Sequence, residues 1–284
     1  MQRLGEQFLV VAEVGVGGVD ERETELDRAP GDRDRCGSVQ TGGRRSAAWH
    51  RTADHRGAVA GTVAIAAFAT AARGLLPDVL RDLRTRYPNP SVSLYDREPH
   101  EAIPALSRGN LDVAVVQDWA DEVLTVPEGL SRRDLLEDPF EVALPVDHPL
   151  ADRTRVAITD LADDWTTWST GQICHDWLLR TLRANDAQPR VLHTASKHST
   201  QLALVAAGLR VAVIPRLGRE PAPPSVRFVP IDPPPTRRVF ALWRESATAR
   251  PAITATIEAL QRCGTRGWHG GRPRSYPRPV SYGR

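Results

Sequence analysis

What most constrains this chain is a set of short runs made almost wholly of apolar residues, each followed or preceded by a segment with helical spacing. Val63-Ala64-Ile65-Ala66, Leu111-Asp112-Val113-Ala114-Val115-Val116 and Val211-Ala212-Val213-Ile214 show no polar alternation for a solvent-facing side. Strands of that kind are buried on both faces, as in parallel sheets covered by helices. Between the first two runs, Leu75, Leu76, Val79, Leu80 and Leu83 share one helical face, and Pro77 sits in the first turn, where it is tolerated. Tyr87-Pro88-Asn89-Pro90 stops that helix. Val92 to Tyr95 reads as a strand, and Glu98 to Ser107 as a helix with Ile103 and Leu106 inward. The order β-α-β-α-β predicts an open parallel sheet with right-handed crossovers.

The same grammar then repeats. Strands are expected at Glu141–Leu144, Thr166–Ser169, Val191–His193, Val211–Ile214, Val226–Val229 and Val239–Trp243. Ile173, Trp177, Leu178 and Leu182 mark a helix, Ser199 to Ala207 another closed by Gly208, and Ala252 to Leu260 a last one. The flanks differ. In residues 1–56 one apolar segment, Phe8–Ala12, is followed by a polar tract from Asp20 to Arg45, and the whole stretch holds ten acids and nine arginines. Such a tract buries too little to offset chain entropy, so a short helix or strand followed by disorder is expected. Residues 263–284 are rich in Arg, Pro and Gly and read as a disordered tail.

Composition narrows the function classes. With 41% hydrophobic and 25% charged residues, usage is that of a globular protein. No apolar run reaches the ~18–20 residues needed to span a bilayer, so no membrane partner is expected. Glu6, Glu13 and Asp20 sit where a signal peptide would be, which points to the cytoplasm. Cys36, Cys174 and Cys263 form no disulfide framework and no metal knuckle. Lys197 is the only lysine, so Arg clusters reflect a coding bias more than phosphate recognition, and the six arginines from Arg262 onward leave the preceding body net acidic. A basic surface for nucleic acid is not expected there.

Several segments, in order, resemble the effector-binding domain of LysR-type bacterial transcriptional regulators. Gly61–Ala66 looks like the family's opening strand, and Leu75-Leu76-Pro77-Asp78-Val79-Leu80 with Arg86-Tyr87-Pro88 like its first helix. Leu106–Val115, containing Gly109-Asn110-Leu111-Asp112, looks like its turn into the third strand. Leu144-Pro145 with His148-Pro149-Leu150-Ala151, then Leu204-Val205-Ala206-Ala207-Gly208 and Val211–Pro215, complete the match. The resemblance implies an α/β fold of two Rossmann-like subdomains joined by two crossover strands, as in type 2 periplasmic binding proteins. Subdomain I would hold residues 61–139 and 238–262, and subdomain II residues 140–237, within an effector-binding domain spanning 57–262. It also implies an N-terminal winged helix-turn-helix. Phe8–Gly15 resembles the start of its first helix, but the Ala- and Ser-rich recognition helix is not found in residues 1–56. DNA is therefore expected as a partner only if a helix-turn-helix is present or supplied by another chain, and a homo-oligomer is expected.

Candidate site residues follow from where strands give way to helices. Thr70, with the N–H groups of Ala71 and Ala72, could hold a carboxylate; a plain N-cap is the alternative. Gln117 and Asp118 end the third strand and either face the cleft or are solvated. Ser169, Thr170 and Gly171 would mirror Thr70 from the second subdomain. His198 or Ser199 could line the cleft, with capping by Ser199 as the alternative, and Pro215 closes a strand at the same level. Cys174 and His175, adjacent in sequence, cannot serve one reacting atom, and His193 and His198 have the wrong spacing for zinc. Asp160, Asp163 and Asp164 read as solvated acids. Trp165, Trp168 and Trp177 read as core, with contact to an aromatic effector left open. Arg210 stands where the family commonly has glycine, so either that turn needs no positive φ or its geometry has shifted. The expected function is binding of a small, anionic metabolite between the subdomains to control transcription, with no catalysis and no cofactor. A free-standing solute-binding protein of the same fold and a regulator lacking DNA binding are the alternatives.

Overall fold

The computed structural model describes residues 59, 61–87, 90–161, 164–186 and 189–266. Every described residue lies within the unit His50–Arg284. The expectations for residues 1–56 and 267–284 lie outside the described residues.

Strand β1 (Gly61–Ala67) runs parallel to β2 (Pro90–Asp96) and to β3 (Val113–Trp119). Strand β9 (Thr236–Arg244) lies antiparallel to β3, and β4 (Leu130–Pro145) antiparallel to β9. Strand β4 changes partners midway. Through Pro139 it pairs with β9; from Phe140 it pairs antiparallel with β7 (Val211–Pro215) and from Glu141 with β8 (Val226–Pro230). Parallel strands β7, β5 (Asp164–Thr167) and β6 (Arg190–Thr194) complete the second sheet. The chain thus crosses once along β4 and returns into β9, and the sheet order is β2-β1-β3-β9-β4-β7-β5-β6, with β8 also on β4.

Each half is covered on both faces, which is why its strands read as unbroken apolar runs. Val63, Ile65, Val113 and Val115 pack with helices α2 (Leu76–Arg86) and α6 (Pro251–Arg266). Their neighbours Ala66, Ala114 and Val116 point the other way, against α3 (Pro99–Ser107). In the second half, Trp165, Trp168, Trp177 and Phe140 form one core with α4 (Ile173–Ala184). Ala212 and Ile214 form the opposite one with α5 (His198–Ala206). Among the described residues, no helix is long and apolar enough to cross a membrane.

Four local expectations need correction. The helix expected around Leu75 is two helices, α1 (Ala69–Gly74) and α2, broken at Leu75. Gly74 lies so close to Gly218 that a continuous helix with a side chain there would not fit. The third strand starts at Val113 and continues through Gln117 and Asp118 to Trp119, so those two polar residues are buried in the sheet. Residues 130–138 form a strand that the apolar runs did not signal. They lie on the outer side of β9 with a register shift near Leu135, and Arg133 and Asp134 are exposed there. Finally, α6 continues to Arg266, past the expected start of a disordered tail at 263, because Cys263 is buried in the α2–α6 core. Gly208 has φ +71 beyond α5 and supplies the left-handed residue, so Arg210 needs none.

Candidate functional site

The cleft between the two halves is a cavity of about 310 Å³. Subdomain I contributes Phe68, Thr70 and Arg73 from α1 and its approach, Asp96 at the end of β2, Glu98 and His100 at the start of α3, and Gln117 from β3. The second half contributes Trp168 and the turn Gly171–Cys174 into α4, then Ser196, Lys197, His198 and Ser199 at the start of α5. Carboxyl ends of parallel strands and amino ends of helices from both halves meet at the level of this cavity.

Arg237, at the start of β9, is the anchor of the cleft and is only 2% exposed. Its Nε and Nη2 donate to Asp138 Oδ2 at 2.9 and 2.6 Å, Nη2 also donates to Thr70 Oγ1 at 2.7 Å, and Nη1 donates to Gln117 Oε1. Asp138 Oδ1 accepts the Leu217 N–H at 2.8 Å. Burial pushes the Asp138 carboxyl up, and Arg237 pulls against it. The guanidinium lies near the rings of Phe68 and Phe140, 4.9 and 5.3 Å from their centroids. Gln117 Nε2 reaches Cys174 Sγ at 3.9 Å, a weak link to α4. Burial pushes the Cys174 thiol up to about 12, so it carries no thiolate near neutral pH.

His198 is 7% exposed, and its Nε2 accepts the Trp168 Nε1–H at 3.1 Å. Burial, then Arg237 and Arg73, hold its pKa down at about 3, so the ring is neutral. Because indole only donates, the single ring proton is on Nδ1. Nδ1 lies 3.4 Å from Arg73 Nη2, another donor. Two donors therefore face each other and need a shared acceptor. Arg73 is oriented by the Gly218 carbonyl, 2.6 Å from Nε, and by Glu220, 3.3 Å from Nη1. Trp168 is held in turn by its carbonyl, 3.0 Å from His175 Nδ1.

The neutral ring has a pH signature. Above the ordinary histidine value of 6.5 its contribution to stability is full. As the pH falls through 6.5 toward 3, the unfolded chain takes up a proton that the folded chain refuses, and stability is lost. The expected slope from this group is up to about 1.4 kcal/mol per pH unit. Comparing the parent with His198→Gln cancels the other titrations. The stability gap between them, measured by urea unfolding, is expected to narrow between pH 6.5 and about pH 4.5. A gap independent of pH would show that the ring is not held neutral.

Of the residues singled out from sequence, Thr70, Gln117, Gly171, His198 and Ser199 line the cleft; Ala71, Asp118, Ser169, Thr170 and Pro215 do not. Thr70 is not the N-cap: α1 starts one residue earlier, the Ala72 N–H is taken by the Phe68 carbonyl, and the Thr70 hydroxyl accepts from Arg237. Asp118 follows Gln117 in a strand and so faces the other way, where it binds Arg238 at 2.8 Å, Arg132 at 3.3 Å and the Leu124 N–H. Ser169 bonds Ser196 and Gln172, Thr170 is exposed, and Pro215 is buried opposite Phe140. Ser199 is the second residue of α5 and does not cap it; the N-cap is Lys197. Arg237, Asp138, Arg73 and Glu98 were not singled out, since in an arginine-rich chain nothing local marks one guanidinium as buried.

Two α/β subdomains on shared strands, with a donor-lined cleft between them, define a small-molecule-binding module of the type 2 periplasmic-binding-protein-like fold. A family model described as the LysR substrate binding domain matches residues 56–264, and the chain belongs to that family. The small neutral protease regulatory protein of Streptomyces lividans is 35% identical over 209 residues, 71% of this chain and 60% of that protein. The HTH-type transcriptional regulator TtuA of Agrobacterium vitis is 31% identical over 174 residues, 59% of this chain and 55% of that one. The chain thus spans less than two thirds of the length of these relatives. The solved BenM effector binding domain with its effector benzoate superposes with TM-score 0.65 at 20% identity, covering 76% of this chain and 97% of that one, a likeness of fold alone. The matched residues are the family's effector-binding domain.

Proposed function

We propose that the cleft is the effector site of a transcriptional regulator and that it takes a small carboxylate-bearing metabolite without chemical change. The observation that carries this reading is the pair of opposed donors, His198 Nδ1–H and Arg73 Nη2, on the wall of the cavity. A carboxylate oxygen accepts from both, and the first N–H groups of α5 add to the attraction. Ligand bound to both halves would alter the angle between them, biasing a homo-oligomer that carries a helix-turn-helix and DNA. Binding of this kind involves no bond made or broken: the Cys174 thiol is protonated, and His198 is bonded to Trp168 and held neutral. The test is thermal-shift screening of carboxylic acids on the full chain, followed by calorimetry. Arg73→Gln is expected to weaken a binder by about tenfold or more, the scale of a lost charge-assisted hydrogen bond. Lys197→Gln, at an exposed side chain with no partner among the described residues, is expected to weaken it less and to leave folding intact. Unchanged affinity in both variants would place the site elsewhere.

A further inference from the structure

One carboxylate on the cleft wall has no partner. Glu98 stands just ahead of α3, where its backbone carbonyl accepts the Glu101 and Ala102 N–H groups. Its side chain is half-buried, lines the cavity and makes no hydrogen bond or ion pair among the described residues. Burial pushes its pKa up and the neighbouring Asp96 adds to that, while Arg237 pulls against both. An unpaired, half-desolvated carboxylate is a costly group to keep unless something donates to it.

The donor side is the mirror case. His198 Nδ1–H is on a side chain more than nine-tenths buried and faces only Arg73. His198, at the start of α5, and Glu98, just ahead of α3, line the same cavity from opposite subdomains. Arg237 is saturated by Asp138, and Arg73 is partly neutralised by Glu220. Among the described residues, Lys197 beside the donor end and Asp96 and Glu98 at the acceptor end have no side-chain hydrogen bond or ion pair, and His100 is the basic group beside Glu98 on that wall. A plain anion would satisfy the first end and leave Glu98 facing a second negative charge; a plain cation would do the reverse. Both ends are satisfied only by a molecule that carries an acceptor anion and a donor cation together.

Resting on the reading of this cleft as the effector site, we infer that its ligand is an amino acid in zwitterionic form, with the carboxylate between His198 Nδ1–H and Arg73 and the ammonium on Glu98. Phe68, Trp168 and Ile173 are the large apolar members of the remaining wall, set among polar residues such as Gln172 and Ser196, and they receive the ligand's side chain. A volume of about 310 Å³ suits a ligand of that size.

The test is calorimetry on the full chain with the proteinogenic L-amino acids, β-alanine and γ-aminobutyrate, each paired with its des-amino acid and its carboxamide. An amino acid is expected to bind, and both of its truncated analogues to bind about tenfold or more weaker. In Glu98→Gln the preference over the des-amino acid is expected to fall to about threefold or less, while the preference over the carboxamide persists. Glu98 has no side-chain hydrogen bond or ion pair to lose among the described residues, and an unchanged melting temperature confirms that the variant folds. Binding of a des-amino acid as tight as that of its amino acid, a preference untouched by Glu98→Gln, or no amino acid binding at all overturns the inference. If a simple carboxylic acid binds and Arg73→Gln abolishes it, the effector cleft stands and only the zwitterion fails. If neither variant alters the binding of any acid, both readings fall.

Discussion

Arg237→Met is expected to destabilise the described unit by about 3–5 kcal/mol, the cost of leaving one member of a buried ion pair without its partner. Asp138 has no exposed surface, and after the substitution its carboxylate keeps only backbone N–H donors, those of Leu217 and Arg216. Gln117 Oε1 and Thr70 Oγ1 lose their donor in the same step. Adding Asp138→Asn removes the stranded charge while retaining an acceptor for Leu217, so the double variant is expected to recover about 2 kcal/mol of the loss. The pH dependence has a definite direction. Burial raises the Asp138 pKa above 3.8, and without Arg237 only the Leu217 and Arg216 N–H groups oppose it, so the rise is larger. A carboxyl whose folded value lies above its unfolded one gains stability on protonation, so the deficit of Arg237→Met shrinks as the pH falls toward 4. Urea unfolding of the parent, the single variant and the double variant at neutral pH and near pH 4.5 checks both claims. A single-variant loss below about 1 kcal/mol would mean that the pair is not desolvated as the structure places it.

This anchor also explains what could and could not be read from the sequence. Strand and helix alternation was legible because burial on both faces leaves an unambiguous mark, as in Val113–Val116 and Val211–Ile214. The split of the chain between two sheets followed from the resemblance, not from periodicity: β4 is one continuous strand, and nothing in Leu130–Asp138 says that it pairs with β9 before Phe140 turns to β7. Site residues at strand ends were reachable by position, and so Thr70, Gln117, His198 and Ser199 come together in the cleft. The one-residue error at Asp118 is a question of strand phase. Placing Gln117 and Asp118 at the strand's end leaves their faces open, and only its continuation to Trp119 assigns them to opposite faces. Arg237 and Asp138 were out of reach for a different reason. They are 99 residues apart, and each gains meaning only from burial with the other.

Gly218→Ala is expected to cost about 3 kcal/mol. Roughly 1 kcal/mol of that comes from its φ of +66, a left-handed conformation that alanine adopts at a penalty. The rest, about 1–3 kcal/mol, is overpacking. A Cβ at this position would overlap the Thr70 carbonyl oxygen, a backbone atom of α1 that cannot rotate aside. Gly74 presses on the same spot from the other partner, since its own Cβ would overlap the Gly218 backbone nitrogen. Two glycines thus let α1 and the loop after β7 approach backbone to backbone. That approach delivers the Gly218 carbonyl to Arg73 Nε at 2.6 Å and the Leu217 N–H to Asp138 at 2.8 Å. The same methyl should therefore be felt in the cleft. By displacing Arg73 from His198, Gly218→Ala is expected to weaken carboxylate binding even at temperatures where the variant is fully folded. Arg250→Ala, remote from the cleft and bonded to Asp112, provides a destabilised control in which affinity per folded molecule stays at the parent value. Equal affinities for parent and Gly218→Ala, with stability reduced, would separate the glycine contact from the site. A stability loss below about 1 kcal/mol would show that the two backbones can move apart freely.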